Sequence, residues 1–210
     1  KEGNPNDVRF KLWDSTRGKE IKTLEKYAKG SGSFVGLSPD SKTIALAFPD
    51  NSVKLLDIAT GKEIKTFKVN SRLEEVSFSP DGKTIALASQ SIVKLLDIET
   101  GKEIKTFRVN SRFRVRRELK FSPNSKTIAF ISTDSVNLVD STTGVEIETL
   151  EGHSGGVTSV SFSPNGKNIT SASHDGTVKL CELFNGREIK TFKDDSQEEI
   201  NYSFFPFQNT

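Results

Sequence analysis

The chain has 210 residues, of which 33% are hydrophobic and 28% charged, and its formal net charge is +2. This composition excludes a disordered or collagen-like chain, and no apolar run reaches the roughly 20 residues a membrane-spanning helix needs. A single cysteine, Cys181, and two histidines exclude an intramolecular disulfide and a Cys/His metal cluster, fit a cytoplasmic setting, and leave any electrostatic function to local charge.

In chain order, the first predicted strands are Arg9 to Asp14 and Lys19 to Leu24. The segment Gly18 to Leu24 then returns at Gly61 to Phe67, Gly101 to Phe107, Gly144 to Leu150 and Gly186 to Phe192, at intervals of 43, 40, 43 and 42 residues. A second marker, Ser-Pro followed by Asp or Asn, begins at Ser38, Ser79, Ser122 and Ser163, at intervals of 41, 43 and 41. Two independent markers on one period identify a repeat protein. In the unit starting near residue 73, strand a is predicted at Glu75 to Ser79, closed by the Pro80-Asp81-Gly82 turn. Strand b follows at Thr84 to Ser89, strand c at Ile92 to Asp97 and strand d at Glu103 to Phe107. In strand b, large Ile85 and Leu87 alternate with small Ala86 and Ala88, as in a strand packed on both faces. The last predicted strand, Ile200 to Phe205, is a strand a without the rest of its unit.

A four-stranded antiparallel unit cannot bury both faces alone, so neighbours must stack on it. The expected fold is therefore all-β: a β-propeller with four complete blades at 30–67, 73–107, 113–150 and 156–192. Partial units at 1–24 and 198–210 supply a split or partial fifth. Trp13-Asp14, Gly152-His153 and the run His174-Asp175-Gly176-Thr177-Val178-Lys179-Leu180 resemble the WD-repeat family. The resemblance implies one domain across 1–210 whose termini share a blade. Rings of this kind usually have more blades, and the sequence lacks any Met, so it reads as a fragment of a larger propeller whose open edges could self-associate.

The resemblance also implies a structural network linking His153, a strand b serine (Ser173 or Ser171) and Asp175. Cys181 stands where the family places tryptophan, and Leu56, Leu96 and Val139 do so in the other units. Ser173, His153 and Asp175 are also the residue types of a hydrolase triad, but no strained strand-turn-helix presentation of the serine is visible. Other carboxylates recur with the period, as Asp57 with Asp97 and Glu63 with Glu103, which marks them as blade chemistry. No phosphate loop, metal-binding run or cofactor fingerprint is present, so no catalytic residue, metal ligand or cofactor is assigned.

One stretch departs from the repeat. Arg108, Arg112, Arg114, Arg116, Arg117 and Lys120 accumulate against the single acid Glu118. Arginine forks suit carboxylate or phosphate partners, and the segment joins strand d of one unit to strand a of the next. The expected function is a non-catalytic platform for protein or peptide partners of acidic character, with no membrane contact. Nucleic-acid binding through residues 108–120 is the alternative; the small net charge and the single nearby aromatic, Phe113, count against it.

Overall fold

The computed structural model describes residues 10–14, 16–24, 34–48, 50–69, 73–89, 92–108 and 118–193. Among them every regular element is a β-strand. The first pair is β1 (Phe10–Asp14) with β2 (Lys19–Leu24). Four complete blades follow, each joined in the order a-b-c-d. The first contains β3 (Phe34–Leu37), β4 (Thr43–Ala47), β5 (Ser52–Asp57) and β6 (Glu63–Lys68). The second contains β7 (Leu73–Phe78), β8 (Thr84–Ser89), β9 (Ile92–Asp97) and β10 (Glu103–Arg108). The third is β11 (Leu119–Phe121), β12 (Thr127–Ile131), β13 (Val136–Asp140) and β14 (Glu146–Leu150). The fourth is β15 (Val157–Phe162), β16 (Asn168–Ser173), β17 (Thr177–Glu182) and β18 (Glu188–Lys193). This is the all-β array of antiparallel propeller blades expected from the repeat. The partner strand expected at 200–205 lies outside the described residues. By contact the chain forms two compact units, Lys1–Leu73 and Glu74–Thr210.

Turn chemistry sets the blade boundaries. β7 ends one residue before the predicted Ser79, whose N–H still donates to the Thr84 carbonyl at 2.9 Å while its side chain caps the turn. The Ser79 hydroxyl donates to Asp81 Oδ1 at 2.6 Å and accepts the Thr84 N–H at 2.9 Å. Gly82 follows at φ 71°. Between strands c and d, Asp57 and Asp97 each accept a threonine N–H at 2.7 Å, from Thr60 and Thr100, in an Asx-type arrangement. The recurring glutamates act differently: Lys54 reaches Glu63 at 2.9 Å and Lys94 reaches Glu103 at 3.0 Å, across strands c and d of one blade. Every c–d pair also slips register once, a bulge conserved through the repeat.

Packing in the larger unit explains the strand b pattern. Ala86 and Ala88 of β8, with Val93 and Leu95 of β9, bury against Leu119, Phe121, Ile128, Phe130 and Val139 of the next blade. That next blade turns its alternate residues the other way: Ala129, Ile131 and Leu138 meet Val157, Val160, Ile169 and Cys181 of β15 to β17. The period-2 alternation of a strand thus sends successive side chains into two different interfaces. Small residues on one face let the neighbouring sheet approach. A polar clasp joins the same seam, where Glu118, just before β11, accepts the Val160 N–H of β15 at 2.9 Å.

Candidate functional site

The fourth blade holds the densest polar arrangement. His153 lies in the connection between β14 and β15, Ser171 and Ser173 on one face of β16, and Asp175 in the turn from β16 to β17. Asp175 Oδ1 accepts from the Thr177 N–H at 2.9 Å and the Thr177 hydroxyl at 2.6 Å. Its Oδ2 accepts from the Ser154 N–H at 2.8 Å and lies 3.1 Å from His153 Nδ1. A carboxylate there favours a proton on Nδ1, and in that neutral tautomer Nε2 accepts the Ser171 hydroxyl at 2.8 Å. Burial opposes ionisation of Asp175, but the donors from Thr177, Ser154 and His153 outweigh it and hold the carboxyl well below the usual range.

Ser171, not Ser173, therefore meets the histidine. Ser173 instead donates to the Gly155 carbonyl at 2.9 Å and accepts the Asp175 N–H at 3.1 Å. Gly155 is needed for that close approach, since a Cβ there would lie 2.8 Å from the Asp175 nitrogen. Sequence reading missed Thr177 and the Ser154 N–H. The Asp-Gly-Thr turn beginning at Asp175 was the available signal, because a hydroxyl two residues after an aspartate can close on it. Cys181 packs in the neighbouring apolar cluster, and burial raises its thiol pKa.

Hydroxyl, imidazole and carboxylate stand in the order of a nucleophilic triad, yet the side chain of His153 is only 2% exposed and Ser171 is buried. Ser171 also sits within a regular paired strand. The arrangement ties a connection, a strand and a turn together. Of the arginine stretch, Arg108 ends β10 and is exposed. Arg112, Arg114, Arg116 and Arg117 lie outside the described residues.

Residues 144–182 match the family described as "WD domain, G-beta repeat", and the match contains the whole His153, Ser171 and Asp175 arrangement. Residues 144–182 thus form a WD repeat. The chain is similar to part of eukaryotic translation initiation factor 3 subunit I of Phaeosphaeria nodorum, 33% identical over 34% of this chain and 21% of that protein. The same subunit of Scheffersomyces stipitis is 34% identical over 38% of this chain and 23% of its own length. Ribosome biogenesis protein erb1 of Neurospora crassa is 42% identical over 25% of this chain and 7% of that protein. The chain thus spans less than a quarter of each of these relatives.

Proposed function

We propose that this WD-repeat chain is a non-catalytic scaffold that holds protein or peptide partners on the loops of a single propeller. The observation that carries this reading is the fourth-blade network: its hydroxyl, imidazole and carboxylate are spent on one another inside the blade. His153, Ser171, Ser173 and Asp175 are then structural. The relatives' names agree with work inside assemblies, one being a subunit of an initiation factor and another a ribosome biogenesis protein. A cytoplasmic location suits the lone cysteine, and among the described residues no helix is long and apolar enough to cross a membrane.

On this reading Arg108, Arg112, Arg114, Arg116 and Arg117 receive an acidic protein segment, and open blade edges add self-association. Replacing Arg112, Arg114 and Arg116 together by Glu should abolish capture of acidic partners while leaving the melting temperature unchanged, and added salt should weaken wild-type capture. A pull-down beside a nucleic-acid titration at two salt concentrations decides between readings. Tight, salt-steep nucleic-acid binding would replace the protein platform with a nucleic-acid one, and an unchanged partner profile would remove the arginines from the site.

A further inference from the structure

The strands d of the blades are nearly copies, which makes the departure in the third complete blade informative. Following the conserved glycine, the octets starting at Gly61, Gly101 and Gly186 each carry three basic residues and one glutamate, as in Lys62, Glu63, Lys65 and Lys68. The octet starting at Gly144 carries three acids, Glu146, Glu148 and Glu151, and no base. Net charge on this strand thus swings from +2 in three blades to −3 in one. Its strand c differs in step. Asn137 replaces the lysine that pairs with glutamate in the other blades, and its amide donates to Ser132 at 2.9 Å. None of the ion pairs among the described residues includes Glu146, Glu148 or Glu151.

A second departure lies beside the first. Two residues before the conserved glycine stand Ala59, Glu99 and Thr142 in three blades, but Phe184 in the fourth. Phe184 is 96% exposed. It borders a groove of about 600 Å³ between the third and fourth blades, whose lining combines apolar Leu138, Ile147 and Leu183 with the charged Lys167 and Glu182. Ile147 is 46% exposed. Glu148 abuts this junction, its Cγ lying 2.9 Å from where a Cβ on Gly186 would be. The volume falls within the roughly 300–1,000 Å³ of ligand-binding clefts. In a repeat scaffold, residues that keep the fold recur. An exposed aromatic and a reversed charge at one junction do nothing for the blades and give the groove a distinct chemistry.

We propose that this groove binds a peptide segment with a large apolar anchor flanked by lysine or arginine. The anchor lies against Phe184, Ile147 and Leu183, and a flanking cation faces Glu148. Glu148 is opposite in charge to the arginines at 108–117, so this surface would select a different class of segment. The inference rests on reading the chain as an interaction scaffold.

The probe is fluorescein-labelled Lys-Lys-Leu-Phe-Leu-Lys-Lys, titrated against the full chain by fluorescence anisotropy. Phe184→Ala and Glu148→Lys should each weaken it by about tenfold or more, the effect of losing one anchor or inverting one facing charge. Both variants should melt as the wild type does, and Lys105→Glu, at the matching position of the second blade, should leave affinity unchanged. A peptide with alanines in place of Leu-Phe-Leu, or with glutamates in place of the lysines, should bind at least about tenfold more weakly. The proposal is overturned if the probe does not bind, if the alanine peptide binds equally well, or if Phe184→Ala leaves affinity unchanged. Phe184→Ala altering sedimentation without altering peptide affinity would overturn it in favour of contact between copies. Failure of the peptide with capture through Arg112, Arg114 and Arg116 intact sinks the groove alone; loss of that capture as well would sink the scaffold reading.

Discussion

Individual residues in this molecule are held by short-range polar chemistry, and two of them make their worth measurable. At the turn after strand a the backbone adopts positive φ, which Gly82 and Gly166 supply in two blades at 71° and 66°. The first complete blade uses Ser41 there, at φ 57°. A side chain in this region costs about 1–2 kcal/mol, partly offset by the extra chain entropy glycine loses on folding. Ser41→Gly should therefore raise stability by about 0.5–1 kcal/mol, measured by urea denaturation. His153→Ala acts in the opposite direction. It leaves the Ser171 hydroxyl without its imidazole partner and Asp175 Oδ2 with the Ser154 N–H alone, so stability should fall by about 1–3 kcal/mol in the same measurement. The depressed Asp175 carboxyl stabilises the fold above the ordinary carboxylate pKa, and that stability is lost as pH falls below it. A variant as stable as wild type would remove His153 from any structural role.

The strands show how one sequence pattern serves two interfaces. Alternation on β8 and β12 was readable because the side-chain period of a strand is 2. What lies against each face was not, since it depends on the next blade forty residues away. The seam between strands a illustrates this. Glu118 reaches Val160 on β15, and Lys120 lies 3.7 Å from its carboxylate. Glu75, at the matching position of β7, is half-buried; desolvation pushes its pKa up to about 7, with Glu118 adding to the rise and the Val76 N–H and Lys120 opposing it. A carboxyl raised in the fold binds its proton more tightly than in the unfolded chain. Its contribution is thus present below the ordinary glutamate pKa and lost as pH rises toward 7. Glu75→Gln should flatten the stability profile between about pH 4.5 and 7 and make the protein more stable than wild type at pH 8. Chemical denaturation at pH 5 and pH 8 checks this, and a pH profile identical to the wild type would refute it.

At the scale of the whole molecule, the fourth blade differs from its predecessors in cover. Val53 and Leu55 are buried in the first blade and Val136 and Leu138 in the third, whereas their counterparts Val178 and Leu180 are only half-buried. Phe192 is 46% exposed, where Phe67 and Leu150 are buried. Apolar sheet surface of this kind pairs with other chains. The 210-residue chain is therefore expected to associate reversibly with itself, and Phe192→Glu to shift it toward monomer. Sedimentation velocity over a range of concentrations measures both, and a wild-type chain that stays monomeric throughout would contradict the expectation.

The amino-acid sequence by itself determined the period, the four strands of each unit and the turns that end them. These follow from interactions spanning only a few residues: alternation, β-branched runs, and Pro, Gly or Asp at turn positions. It also held, unread, the charge reversal at Glu148 and Glu151 and the lone Phe184, both visible once the repeats are aligned residue by residue. Tertiary structure alone decided between Ser171 and Ser173. The two share one face of β16 and one chemistry, and only the path of the connection carrying His153 sets which hydroxyl lies within reach. The clasp from Glu118 to Val160 and the groove beneath Phe184 were decided in the same way, because each is made where two blades meet and neither blade contains it alone.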